Sequence, residues 1–213
     1  MHGCFITVEG IEGVGKTTNI DYIESLLAEA GKGTVLTREP GGTQLGEDIR
    51  ELLLGHKHHG MSDDTELLMM FASRAEHINK IIQPALDKGQ WVLCDRFTDA
   101  SYAYQGGGRG IDADHIAILE NWVQGSMRPD LTLLLDVPVE VGLSRANQRS
   151  EPDRFESEKL EFFERVRTTY INRAKQDLKR NIIIDANLPL EQVQYQIRTA
   201  ITHFIRDHST GSL

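Results

Sequence analysis

Cysteine is nearly missing from this chain of 213 residues, which carries Cys4 and Cys94 and no others. A disulfide scaffold is therefore excluded, and both thiols, lying in apolar runs, are expected to be buried and free. Long hydrophobic runs are missing too: none approaches the roughly 20 residues that a membrane-spanning helix needs. The opening "MHGCFITVEG" has neither a basic region nor a long apolar stretch, so no secretory leader is expected. There is no surplus of positive charge. The formal net charge of −9 argues against a nucleic-acid polymer or an anionic membrane as partner. No internal repeat, linker or low-complexity tract interrupts the chain. The expectation is one cytoplasmic domain over residues 1–213, long enough to bury about 70% of its unfolded surface.

Lysine is scarce beside arginine, 8 against 15. The planar guanidinium grips phosphate bidentately better than an ammonium does, so composition points to small anions met at particular places. Short apolar runs at 4–9, 34–38, 90–94, 131–136 and 181–185 alternate with helical patterns at 16–30, 44–54, 64–87, 112–125, 138–147, 157–179 and 189–206. Such alternation predicts an α/β fold, a five-stranded parallel sheet with helices on both faces. Ser62 or Asp63 should cap the third helix, and Pro84 should bend its end. Two stretches escape the pattern. "QGGGRG" (105–110) reads as a mobile turn, and the polar "ANQRSEPDRFE" (146–156) as a flap.

The pattern G-x-x-x-x-G-K-[ST] is met by Gly10, Gly15, Lys16 and Thr17, between a strand and a helix as that phosphate-binding loop requires. Residues 10–18, comprising Gly10, Ile11, Glu12, Gly13, Val14, Gly15, Lys16, Thr17 and Thr18, are the candidate ATP cradle. Glycines let successive N–H groups turn inward, Lys16 reaches the β- and γ-phosphates, and the Thr17 hydroxyl holds Mg²⁺. A hydrolytic switch or motor, a kinase, and a non-catalytic nucleotide-binding module all use such a loop. A guanine switch would carry Asn-Lys-x-Asp; here Asn79-Lys80 is followed by Ile81-Ile82. A kinase needs a second anion site. "WVLCDRF" supplies Asp95, a second candidate Mg²⁺ ligand, and Arg96 at a strand end beside the loop; Arg38 and Glu39 lie at another strand end, Arg74 lies mid-helix after an apolar face, and "LGEDIRELLL" adds Arg50.

With "EGIEGVGKTT", "TREPGGT", "TELLMMFASRAEH", "DRFTDASYAYQGGGRGI", "DRFE" and "IDAN" in order from residue 5 to residue 187, the chain resembles the thymidylate kinase family, bacterial type. The resemblance implies a P-loop nucleoside-monophosphate-kinase fold, transfer of the ATP γ-phosphate to dTMP with Mg²⁺, and a homodimer. It implies that Arg50, Arg74 and Arg96 hold the acceptor phosphate and base, that Ser101 and Gln105 bond the thymine edge, and that Tyr104 crowds the ribose 2′ position. Glu12 then lies near the sugar 3′-hydroxyl, Glu39 lines the same pocket, and Glu156 lies near the metal. The loop segment "IEGVG" has no arginine, so the lid, about 146–156, is expected to bring the catalytic charge through Arg149 and Arg154, with Arg145 a weaker candidate. Lys16, Asp95 and Arg96 complete the catalytic set. The aromatic that many relatives place four residues before Arg74 is Met70 here; Phe71, one residue later, is favoured for stacking on thymine, with Met70 and a core role for Phe71 as alternatives. Another nucleoside monophosphate as acceptor, or plain nucleotide binding, are the competing functions.

"HKHHG" (56–60) lacks a framework of further ligands and reads as a solvated loop. Ala186 and Asn187 fall where the family's adenine pocket forms.

Overall fold

The computed structural model describes residues 3–58, 60–148 and 153–209. The apolar runs form β1 (Phe5–Glu9), β2 (Thr34–Arg38), β3 (Trp91–Asp95), β4 (Leu131–Asp136) and β5 (Asn181–Asp185). All pair in parallel, in the order β2-β3-β1-β4-β5. Alternate residues of one strand feed different cores. Trp91 and Leu93 join Ile23 and Leu27, whereas Val92 and Cys94 join Phe5, Ile82 and Leu86. Both faces are thus covered, which is why the strands are apolar throughout rather than alternating. Cys4 and Cys94 are buried and unbridged, and burial pushes both thiols up, Cys4 to about 11.

The helices are α1 (Lys16–Glu29), α2 (Gln44–Leu54), α3 (Asp63–His77), α4 (Gln83–Asp87), α5 (Thr98–Ser101), α6 (Ala113–Gln124), α7 (Val139–Ala146), α8 (Leu160–Gln176) and α9 (Leu190–Ser209). Ser62 caps α3, its hydroxyl accepting from the Thr65 N–H at 3.3 Å. The single helix expected over 64–87 is in fact α3, a wider π-type stretch at Ile78–Ile82, and α4. Pro84 has no N–H and its ring would crowd the carbonyl of Lys80, so the helix widens just before it.

The turn expected at 105–110 is corrected. α5 continues as π-type helix through Tyr102–Gly108, and α8 packs straight onto its backbone. A Cβ on Gly108 would come within 2.5 Å of the Phe162 ring, and one on Gly107 would strike Thr169. Arg165 fixes the contact by donating to the Gly108 carbonyl at 2.7 Å. These glycines serve close helix contact, not chain reversal.

The strand register sets Val8 beside Asp95 and Arg38 beside Asp95 at the carboxyl edge of the sheet. β1 is central, and the chain order departs from it in both directions, which opens a crevice at its end. No helix among the described residues is long and apolar enough to cross a membrane.

Candidate active site

The loop from Gly10 to Lys16 joins β1 to α1 at this crevice. Gly13 and Gly15 take left-handed conformations, φ 71° and 89°, open to glycine without a Cβ penalty. Gly13 has a second reason to lack a side chain: a Cβ there would run into the Gly142 carbonyl of α7. Ile11 and Val14 bury their side chains in the main core, so they serve the loop through backbone alone. The Lys16 ammonium folds over the loop, 3.4 Å from the Gly10 and Ile11 carbonyl oxygens. Burial, and then the charge of Arg96, lower its pKa. Thr17 and Thr18 are exposed in the first turn of α1. Thr17 and Asp95 line one cleft, and Asp95 Oδ1 is buried without a hydrogen-bond partner. A hard-oxygen pair with one orphaned carboxylate oxygen fits a divalent cation such as Mg²⁺.

Arg96 follows directly, and it is the one non-glycine residue with positive φ, 66°, among the described residues. Such a conformation costs about 1–2 kcal/mol, and its neighbours hold it. The Arg96 N–H donates to the Val8 carbonyl at 3.0 Å, and the Phe97 N–H donates to Glu9 Oε1 at 2.7 Å. Glu9, whose other oxygen accepts from the Tyr170 hydroxyl at 2.8 Å, is pushed up to about 7 by burial, with the charge of Asp99 adding. The strained turn swings the Arg96 guanidinium back over the loop. Its Nη2 donates to Glu12 at 2.7 Å and to the Tyr104 hydroxyl at 3.0 Å, and that hydroxyl donates to Glu12 at 2.7 Å.

Beside this triad lies a pocket lined by Glu12, Glu39, Arg50, Arg74, Arg96, Ser101, Tyr104 and Gln105. Arg74 is only 2% exposed. Its Nε donates to Glu39 at 2.7 Å and its Nη2 to Ser101 Oγ at 3.0 Å, while Nη1 is buried with no partner. The second Glu39 oxygen lies 2.9 Å from His77 Nδ1. Arg50 donates to the Pro40 carbonyl at 2.9 Å. Burial, and then the like charges of Arg38 and Arg96, hold its pKa below the ordinary arginine value. Gathered guanidiniums, one with an idle buried donor, are arranged to receive an anion that also carries hydrogen-bond acceptors.

The family model for thymidylate kinase matches residues 8–197. The chain is 55% identical over 205 residues to the thymidylate kinase of Pseudomonas savastanoi pv. phaseolicola, covering 96% of this chain and 98% of that one. It is 58% identical over 197 residues to that of Pseudomonas entomophila, covering 92% and 94%. The crystal structure of thymidylate kinase from Ehrlichia chaffeensis superposes with a TM-score of 0.77 at 35% identity, covering 94% of this chain and all of that one. This chain belongs to the thymidylate kinase family.

Within that family frame, two expected site residues make other contacts in this structure and one lies outside the described residues. Phe71 does not line the pocket. It is buried with Leu67, Tyr102 and Ile116, and its ring lies 4.5 Å beneath the Arg74 guanidinium. Met70 lines the pocket instead, because the two positions differ by about 100° around α3. Arg154 is not poised over the phosphate loop either. Its Nη2 donates to Glu66 at 2.6 Å and its Nε to the Leu53 carbonyl at 2.7 Å. The reason is charge: Glu66 is fully buried and draws in both Arg154 and Arg109. Arg149 lies outside the described residues. Arg145 donates to the Ala186 carbonyl at 3.2 Å, at the site expected for adenine, and Glu156 accepts from the Asp153 N–H at 3.2 Å within its own turn. Among the described residues no group of three or more His, Cys, Asp or Glu side chains is placed to hold a metal.

Six residues of the pocket wall, Pro40, Leu54, Phe97, Ala100, Asp153 and Phe155, had no signal of their own. Phe155 and Asp153 line it from the end of the flap, and Phe97 from the turn after Arg96. "DRFE" marked Asp153 and Phe155 only through family likeness.

Proposed function

We propose that the chain transfers the γ-phosphate of ATP to the 5′-phosphate of dTMP, forming dTDP. The observation that carries this reading is the Arg96–Glu12 pair, in which an arginine of the acceptor pocket is bonded to a carboxylate of the phosphate loop. Donor and acceptor sites thereby share a wall, as in-line transfer between two phosphates requires.

In this reading the loop N–H groups and Lys16 hold the donor phosphates, and Arg96 with Arg50 holds the acceptor phosphate. An acceptor oxygen that is already anionic attacks the γ-phosphorus while the bridging oxygen leaves with ADP, so no side chain has to remove a proton. Thr17 and Asp95 would hold Mg²⁺, which supplies neutralisation of charge on the β- and γ-phosphates. The idle Arg74 Nη1 donates to a base carbonyl, and Gln105 meets the neighbouring ring nitrogen. Tyr104, tied to Glu12 and edge-on to Phe155 at 5.7 Å, crowds the 2′ position and favours deoxyribose. The segment about 146–156 acts as a lid, a role supported by Asp153 and Phe155 at the pocket wall.

A homodimer is the proposed assembly. It is supported by Ile118 and Trp122, 63% and 81% exposed one turn apart on α6, and by Leu68, 56% exposed on the adjoining α3. Two free cysteines are in keeping with a cytoplasmic setting.

A coupled assay of ADP release tests the function: turnover should require dTMP and exceed that with dCMP or AMP. ATP loss without any acceptor would favour a hydrolytic switch, and preference for another monophosphate would favour a sister kinase.

A further inference from the structure

Gln105 is 1% exposed and Glu66 is fully buried. The two side chains come from different helical stretches and meet at 2.8 Å, Gln105 Nε2 donating to Glu66 Oε1. That direction is forced by chemistry. Both Glu66 oxygens already accept from guanidinium N–H groups: Arg154 on Oε2 at 2.6 Å and Arg109 on both at 3.3 Å. A carboxylate so engaged only accepts, and turning the Gln105 oxygen toward it would set lone pairs against lone pairs. The amide nitrogen is therefore committed to Glu66, and Oε1 is the polar atom left for the pocket that Gln105 lines.

We infer that Glu66 is a positioning residue that locks the Gln105 amide with its oxygen toward the acceptor base, and so selects pyrimidines that carry a hydrogen at N3. This rests on the dTMP reading and names the device behind its base choice. Arg74, bonded to Ser101 one turn before Gln105, offers a fixed donor through Nη1. Donor next to acceptor matches the O4 and N3–H of thymine or uracil. Cytosine presents an amino group and a bare N3, the reverse pattern, and leaves both protein groups unpaired. Sites built to hydrogen-bond reject a mismatched ligand far more strongly than apolar pockets do. Were the amide free to turn over, its NH₂ would suit cytosine N3 and the discrimination would go. Glu66 touches no substrate in this scheme; it acts through Gln105.

Glu66→Gln frees the amide, since a glutamine at 66 meets Gln105 with either end. Glu66→Asp keeps the charge for Arg109 and Arg154 but withdraws the carboxylate from Gln105 by one methylene. In each, the dTMP:dCMP ratio of kcat/KM should fall at least about tenfold, chiefly through a higher KM for dTMP. The dTMP:dUMP ratio should stay within twofold, because both bases carry N3–H; general loosening of the pocket would not spare it selectively. In the unmodified protein, the Gln105 side-chain amide protons should exchange slowly with solvent before any nucleotide is added. A dTMP:dCMP ratio within twofold of wild type in a folded variant, or fast exchange of those protons, overturns the inference while leaving dTMP turnover intact. A wild-type enzyme with no preference for dTMP over dCMP would overturn the inference and the base reading together.

Discussion

Arg96 and Glu12 lie 2.7 Å apart, and each is held a second time through the Tyr104 hydroxyl. One residue belongs to the acceptor pocket and the other to the phosphate loop, so the pair joins the two sites at a single point.

Arg96→Ala should abolish measurable dTMP binding, lower kcat/KM by about 10³-fold or more, and leave ATP binding within a few fold. Calorimetric titration of each nucleotide separately reads this directly. Equal losses for ATP and dTMP would mean that the arginine supports the loop rather than the acceptor.

Met70 and Phe71 should separate cleanly. Phe71→Ala removes a buried ring beneath Arg74 and should cost about 3–5 kcal/mol of stability. Met70→Ala should cost less in stability and raise the KM for dTMP. Thermal melts and initial rates distinguish them, and a Met70→Ala enzyme with unchanged KM would remove this residue from base contact.

Arg154→Ala leaves the buried Glu66 with Arg109 as its remaining guanidinium partner. The expected outcome is a stability loss of up to about 3 kcal/mol with kcat changed by less than about threefold. A large fall in kcat at an unchanged melting temperature would return Arg154 to the chemistry.

Glu9 makes stability depend on pH. Its folded pKa is raised to about 7 from 4.5, so the folded state holds a proton that the unfolded chain releases. Its contribution is full below about pH 4.5 and is lost as pH rises through about 7. Against Glu9→Gln, the wild type should therefore lose up to about 3 kcal/mol of relative stability across that window. Urea unfolding of both proteins at several pH values checks the sign; parallel curves would show that Glu9 does not titrate there.

Much of the fold was legible because buried parallel strands are apolar on both faces, and runs such as "LTLLLD" announce themselves. The phosphate loop was legible because its geometry is local: glycine, lysine and threonine act within one turn. What escaped depends on partners distant in sequence. Gly107 and Gly108 look like a turn until α8 is seated on them. Met70 and Phe71 are adjacent, and only the packing of α3 decides which faces the pocket. Arg154 and Glu66 are 88 positions apart, and no pattern in either segment shows that one neutralises the other.

Gly13 and Gly142 touch through bare backbone, with no side chain between them to yield. A side chain at either position would wedge α7 off the loop, so this pair sets how closely the helix buttresses the cup for the donor phosphates.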